Sequence, residues 1–250
     1  MYGKMRRTLK IKIVITFLIG LMFTNVQAQT FGFGCLGLSG FYAGMSQENY
    51  TASGVNDFLN VKLSSMQYSG SIKFERGTGY RIGANIVRAK FDKIFLTAKG
   101  YYQFLKEERS NSGTLNNAAV SSNYQLIMNH WGAGIDFGIK IFTFLDWKIV
   151  EGNVNFYDSE FIIQDFKSNI LDKEAKYNSE KVQVGYFLGT GLIFHIVPDY
   201  ISLEGTVGYS FFKFDKFKST DALGVVTNVN NPLPEGGTGI TLQINIGFPF

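Results

Sequence analysis

The sequence predicts an all-β chain that folds as a transmembrane, antiparallel up-and-down barrel. Three observations predict it. Apolar residues recur with a period of two in run after run along the chain. In each run the bulky apolar side chains lie on one face, and small or charged ones on the other. Short and long polar connections alternate between the runs.

The first 28 residues stand apart. Lys4, Arg6, Arg7, Lys10 and Lys12 form a basic stretch ahead of the apolar run 13–23. That run is short of the roughly 20 residues a membrane helix needs, and it has the length of a signal-peptide core. Val26 and Ala28 supply compact residues at the positions before a cut, so cleavage is expected ahead of Gln29. The expected organisation is a signal peptide over 1–28 and one barrel domain over 29–250. Five of the 24 Lys and Arg and none of the 20 Asp and Glu lie in the leader, which leaves 19 basic against 20 acidic residues. The basic character of the chain therefore belongs to targeting, and no basic run remains to hold nucleic acid. Cys35 is the single cysteine. It cannot form an internal disulfide, it lies too far past the cut for a lipoprotein, and it is expected to face lipid on the first strand.

The final run shows the alternation most clearly. Ile240, Leu242, Ile244, Ile246, Phe248 and Phe250 share one face, and Thr241, Gln243, Asn245 and Gly247 the other. Upstream, Trp131, Ala133, Ile135, Phe137, Ile139 and Ile141 alternate with His130, Asp136, Lys140 and three glycines. The runs 182–195 and 201–211 do the same. A soluble barrel buries its bulky apolar face. Here the opposite face holds the charges and glycines, so the apolar face must meet lipid, where a closed sheet satisfies every backbone group.

Nine runs show the period: 30–45, 61–74, 79–90, 94–106, 123–141, 147–157, 181–196, 201–214 and 238–250. Short connections fall at 91–93, 143–146 and 197–200, and long ones at 46–76, 107–122, 166–178 and 215–236. Barrels of single bacterial chains have even strand numbers, short periplasmic turns and long outer loops. With both termini in the periplasm, 61–74 falls outside the membrane as part of a long first loop. Eight strands are expected, with ten as the alternative. Within that loop, 54–60 suits a short helix.

With its terminal Phe248-Pro249-Phe250, the chain resembles the small outer-membrane proteins with an OmpA/OmpX-type or OmpW-like barrel, and the resemblance covers about 29–250. Pro249 departs from the usual closing pattern and belongs beyond the last ladder bond. The resemblance implies a Gram-negative outer membrane, insertion by the barrel-assembly machinery through the last strand, and contact with outer-membrane lipid and lipopolysaccharide. A periplasmic domain of the OmpA kind is not expected.

The candidate site residues are charges that face inward: Arg81 and Lys99 against Asp136, Glu151 and Glu204, with Lys140 and Lys181 near strand ends. Side chains fill the lumen of an eight-stranded barrel, so these charges are expected to pair. Phe95, Phe187, Ile193 and Phe212 also face inward. His130 and His195 fall at opposite ends, so they cannot share a substrate or metal, and only Asp199 lies near His195 in sequence. His130 lacks a serine two residues on, the arrangement of the lipid A deacylases. No catalytic residue, metal or cofactor is expected. Tyr101, Tyr102, Phe104, Trp131, Trp147, Tyr157, Tyr200, Tyr209 and Phe211 are expected to form interfacial belts. The expected function is a structural or surface-interaction role through the long loops, its ligand unspecified. The alternatives are a narrow porin-like channel for small or hydrophobic solutes and a lipid A-modifying enzyme.

Overall fold

A computed structural model describes residues 39–65, 72–115, 118–220 and 225–247. The leader, Cys35, Phe248 and Phe250 lie outside the described residues. The strands are β1 (Gly40–Asn49), β2 (Arg76–Phe91), β3 (Ile94–Leu115), β4 (Ala118–Phe142), β5 (Leu145–Lys167), β6 (Ile170–Ser179), β7 (Gln183–Val197), β8 (Ile201–Phe211), β9 (Phe214–Thr220), β10 (Val226–Leu233) and β11 (Thr238–Gly247). One helix, α1 (Ser53–Ser65), follows β1.

Eight strands close into a ring in the order β1-β2-β3-β4-β5-β7-β8-β11. Two pairings make the closure. β1 meets β11 from Gly40↔Gly247 to Glu48↔Gly239. β5 meets β7 from Leu145↔Phe194 to Tyr157↔Gln183. All ring pairings are antiparallel, so the barrel has no open edge within the ring. The outer surface is apolar: Ile82, Leu96, Ile135, Val154, Leu188, Val207 and Ile244 are all exposed. Among the last-strand residues, Ile240, Leu242, Ile244 and Ile246 are each more than half exposed. An apolar belt of this extent is far beyond what a water-facing surface carries, and it fits hydrocarbon.

Beyond the ring the strands continue. β3 has 22 residues, roughly 70 Å of extended chain against a hydrocarbon core of about 30 Å. The connection expected at 107–122 is therefore mostly strand: β3 and β4 pair to Leu115↔Ala118. β5 forks. Below Tyr157 it pairs with β7, and from Glu160 to Lys167 it pairs with β6. The connections expected at 166–178 and 215–236 likewise hold β6, β9 and β10, with β6 on β9 and β9 on β10. The β5–β6 turn uses Ser168 (φ 51°) and Asn169 (φ 64°), the doubly left-handed geometry that twists with the flanking strands.

The stretch expected as a strand at 61–74 is not one. Residues 61–65 complete α1, which runs well past the helix expected at 54–60. Val55, Leu59 and Leu63 recur every four residues and are buried, a helical stripe that the period-two count missed. They share one buried cluster with Tyr124, Leu126 and Met128 of β4, Phe161 and Ile163 of β5, Tyr177 of β6 and Phe217 of β9. Gly54 lets the helix start lie on β10, where a Cβ would stand 2.2 Å from the Asn231 carbonyl oxygen. The extensions and α1 thus form a hydrophobic cap over one end of the barrel. Tight turns close the other end.

Candidate functional site

The lumen holds the charged residues singled out in the sequence. Alternation turns Arg81 of β2, Lys99 of β3, Asp136 of β4, Glu151 of β5 and Glu204 of β8 inward, and all five are buried. They meet. Lys99 Nζ lies 2.9 Å from Asp136 Oδ1 and 2.6 Å from Glu151 Oε1. Arg81 Nη1 stands 3.8 Å from the same Glu151 oxygen, and Arg81 Nε donates to Gln103 Oε1 at 2.7 Å. Lys140 and Lys181 take no part; both are exposed.

A sixth charge completes the group. Lys148 Nζ is fully buried, donates to Glu151 and Glu204, and reaches Thr206 Oγ1 at 2.7 Å. Strict alternation from Glu151 turns Lys148 toward lipid, so sequence reasoning missed it. Ile149 is an extra residue in β5: Lys148 and Glu151 face Gly191 and Gly189 on β7, and Val150 and Lys148 face consecutive residues on β4. This β-bulge brings both residues to the inner face. The trace in the sequence is the clash of phase between Trp147 and Val150, both outward and three apart.

Three cations (Arg81, Lys99, Lys148) balance three carboxylates (Asp136, Glu151, Glu204). The carboxylate oxygens approach within 4.8 Å of one another. The lysine ammonium groups make that approach tolerable, because each stands between two of the acids. Amides complete the set. Asn153 donates to Glu151 at 2.8 Å, and Asn245 donates to Glu204 at 3.1 Å and to Ser202 at 3.2 Å. The result is a neutral, cross-linked plug joining six strands, β2, β3, β4, β5, β8 and β11.

Toward the cap the lumen becomes aromatic. Arg81 lies 4.2 Å from the Tyr101 ring centre, and Tyr101 donates to Asn155 Oδ1 at 2.7 Å. Gly132 makes room for that ring; a Cβ there would stand 2.2 Å from Tyr101 Cζ. His130 is buried between Tyr101 and Tyr157, with ring centres 6.0 and 4.4 Å away. Tyr157 packs on Phe212 and Phe214. Tyr101 and Tyr157 therefore do not belong to the interfacial belts. Tyr101 adjoins the outward Tyr102, so the two must face opposite ways, and Tyr157 shares the inward phase of Glu151. Phe104, Trp131, Trp147, Tyr200 and Phe211 are exposed on the outer surface. Phe95, Phe187, Ile193 and Phe212 are buried on the inner side.

At the turn end, His195 Nε2 lies 2.9 Å from Asp146 Oδ2, and Arg88 approaches the same oxygen at 3.4 Å. Asp199, the sequence neighbour of His195, instead accepts from Lys90 at 2.5 Å. A shallow cleft of about 140 Å³ opens there between Lys93, Lys140 and His195.

A closed ladder, an apolar exterior and a charged, filled interior define a small membrane-spanning β-barrel of the outer-membrane type. Its likenesses to known proteins lie in architecture. No family model and no curated protein sequence matches the chain. Solved structures do. The attachment invasion locus protein Ail of Yersinia pestis is 9% identical, with a TM-score of 0.39, 84% of this chain and 97% of that chain covered. Neisserial surface protein A is 14% identical at a TM-score of 0.35, covering 84% and 99%. The outer membrane protease OmpT of Escherichia coli is 9% identical at 0.36, covering 85% and 94%.

Proposed function

We propose that this protein is an outer-membrane surface protein in which the barrel is an anchor and the cap makes the functional contacts. The observation that carries this reading is a lumen obstructed at two levels. The six-charge plug fills one level. The Tyr101, His130 and Tyr157 stack, continued by the cap core, fills the next. A solute path needs both to open, and opening the first would separate buried charges at a cost of several kcal/mol. The cap, by contrast, is a folded body of strand and helix beyond the membrane belt, and Lys73, Glu75, Lys106, Glu108 and Arg109 are among its exposed charges. His130 is walled in by aromatic rings and His195 is engaged by Asp146, so the reading assigns neither a catalytic role.

The reading places both termini and the tight turns in the periplasm and the cap outside. Planar-bilayer recording of the purified chain tests the seal: no conductance above leak is expected, and steady single-channel steps overturn the proposal. Orientation has its own test in a Cys35→Ser background. An impermeant maleimide should label Asn169→Cys on intact cells and leave Lys93→Cys unlabelled until the outer membrane is breached. The reverse pattern sinks the orientation.

A further inference from the structure

The outer wall of the barrel carries a groove that the packed lumen does not explain. It lies where β11, β1 and β2 run side by side. Two cross-strand rows shape it, Leu242–Met45–Tyr80 and Ile240–Gln47–Thr78. Met45, Tyr80, Ile240 and Leu242 are each more than half exposed. They give an apolar trough with a volume near 650 Å³. Tyr80 pairs with Phe104, and Phe104 packs on Tyr102, itself 4.7 Å from Trp131. This cluster of aromatics marks the edge of the hydrocarbon, where amphipathic rings collect.

The trough does not end at that edge. Thr78, Lys106 and Glu108 line it and also line a second, polar cleft of about 350 Å³ on the cap side. Glu75, Arg76, Glu107 and Arg109 complete the second cleft. Most of its charges are spoken for: Lys106 pairs with Glu108 at 2.6 Å, Arg109 with Glu107, and Lys73 with Glu75. Arg76 differs. Its Nε donates to Asn49 Oδ1 at 3.0 Å, and among the described residues it enters no ion pair. The cleft thus carries one guanidinium outside its ion pairs, with donors suited to bidentate capture of a phosphate.

An apolar trough inside the membrane belt, continuous with a polar shelf that offers the unpaired Arg76 just above it, has the profile of one amphiphile. We propose that this face seats a membrane lipid with a phosphate headgroup, its acyl chains along Met45, Ile240 and Leu242 and its phosphate on Arg76. The inference rests on the membrane anchor described above but not on a sealed lumen.

The test uses the full-length barrel in micelles with 13C-methyl methionine. Met45 reports on the trough. Met128, buried in the cap core, reports on folding. Three probes are added: phosphatidic acid with 14-carbon chains, the matching diacylglycerol, and inorganic phosphate. Phosphatidic acid should shift Met45 saturably, while diacylglycerol and inorganic phosphate should not. Arg76→Gln should weaken phosphatidic acid at least about tenfold, the scale of one lost charge-assisted contact. Thr78→Trp, which fills the junction of the two clefts, should abolish the shift with Met128 unmoved. Equal binding of diacylglycerol, or unchanged affinity in either variant, overturns the headgroup assignment; saturation by inorganic phosphate overturns the lipid. Conductance in bilayers would remove the sealed-lumen function and leave this site standing.

Discussion

Replacing Lys148 with methionine keeps most of the side-chain volume and removes one charge from the centre of the plug. Lys148 is fully buried and donates to Glu151, Glu204 and Thr206. Without it, three carboxylates face Lys99 and Arg81 alone, and Glu204 keeps only amide and hydroxyl partners, Asn245 and Thr206. Breaking one buried ion pair by deleting a partner costs about 3–5 kcal/mol. Lys148 serves two acids, so the expected loss is at the upper end of that range. A second variant separates charge from packing. Lys148→Met with Glu204→Gln restores balance, two cations against Asp136 and Glu151, and should recover at least about half of the loss. The coupling between neighbours in one network is about 0.5–3 kcal/mol. Urea unfolding in lipid vesicles, followed by tryptophan fluorescence and by gel mobility, measures both variants. A single substitution within about 1 kcal/mol of the parent refutes the plug as an integrated network. So does a double variant as weak as the sum of its parts.

Leu59→Ala should loosen α1 from the cap at a cost of about 2–5 kcal/mol, because Leu59 is fully buried in the hydrophobic cluster; proteolysis between β1 and β2 should quicken while the barrel stays folded. Glu107 accepts from Tyr50 and from the backbone amides of Glu75 and Arg76, at 3.0 and 2.8 Å for the amides, so Glu107→Ala should free the segment 72–76, seen as faster amide exchange there. Burial, then the Glu107 carboxylate, pushes the Tyr50 hydroxyl up, and it should stay protonated through an alkaline titration of tyrosine absorbance. The hydrogen bond from Lys90, followed by its charge, holds Asp199 below the ordinary aspartate range. A depressed carboxyl stabilises the fold above its unfolded value and loses that contribution as pH falls through the folded one. Carboxyl NMR should therefore show Asp199 titrating low, and Lys90→Gln should bring it back up.

The parts of this structure that were legible in the sequence share one physical cause. Inside a bilayer the two faces of a strand meet opposite solvents, so alternation is forced residue by residue; the ring strands and the five inward charges followed from it. Where that constraint lapses, legibility fell. Beyond the belt, stretches such as 107–122 meet water on their outer face. Their serines, asparagines and glycines carry no alternation, although backbone pairing extends them as strands all the same. Further along β4 and β5 the phase reverses in meaning: Tyr124, Leu126, Phe161 and Ile163 are buried under α1, so the apolar face points inward. A count of period-two segments cannot distinguish these two regimes, and it mistook the end of a helix for a strand. Lys148 failed for a local reason. One added residue, Ile149, inverts the phase, and within the stretch only the outward pair Trp147 and Val150, three apart, marks it. The glycines opposite are a second trace. Gly138, Gly189 and Gly191 face the bulge from both neighbouring strands, and a Cβ at Gly191 would stand 2.4 Å from the Gly205 carbonyl oxygen and 3.1 Å from the lysine's Cε. Gly191→Ala should therefore destabilise the barrel by pressing on the β8 backbone at Gly205 and on Lys148, and more so than Gly152→Ala, where a Cβ meets no atom within 4 Å. If the two substitutions cost the same in vesicle unfolding, room for the Gly205 carbonyl and for Lys148 is not what the β7 glycine provides.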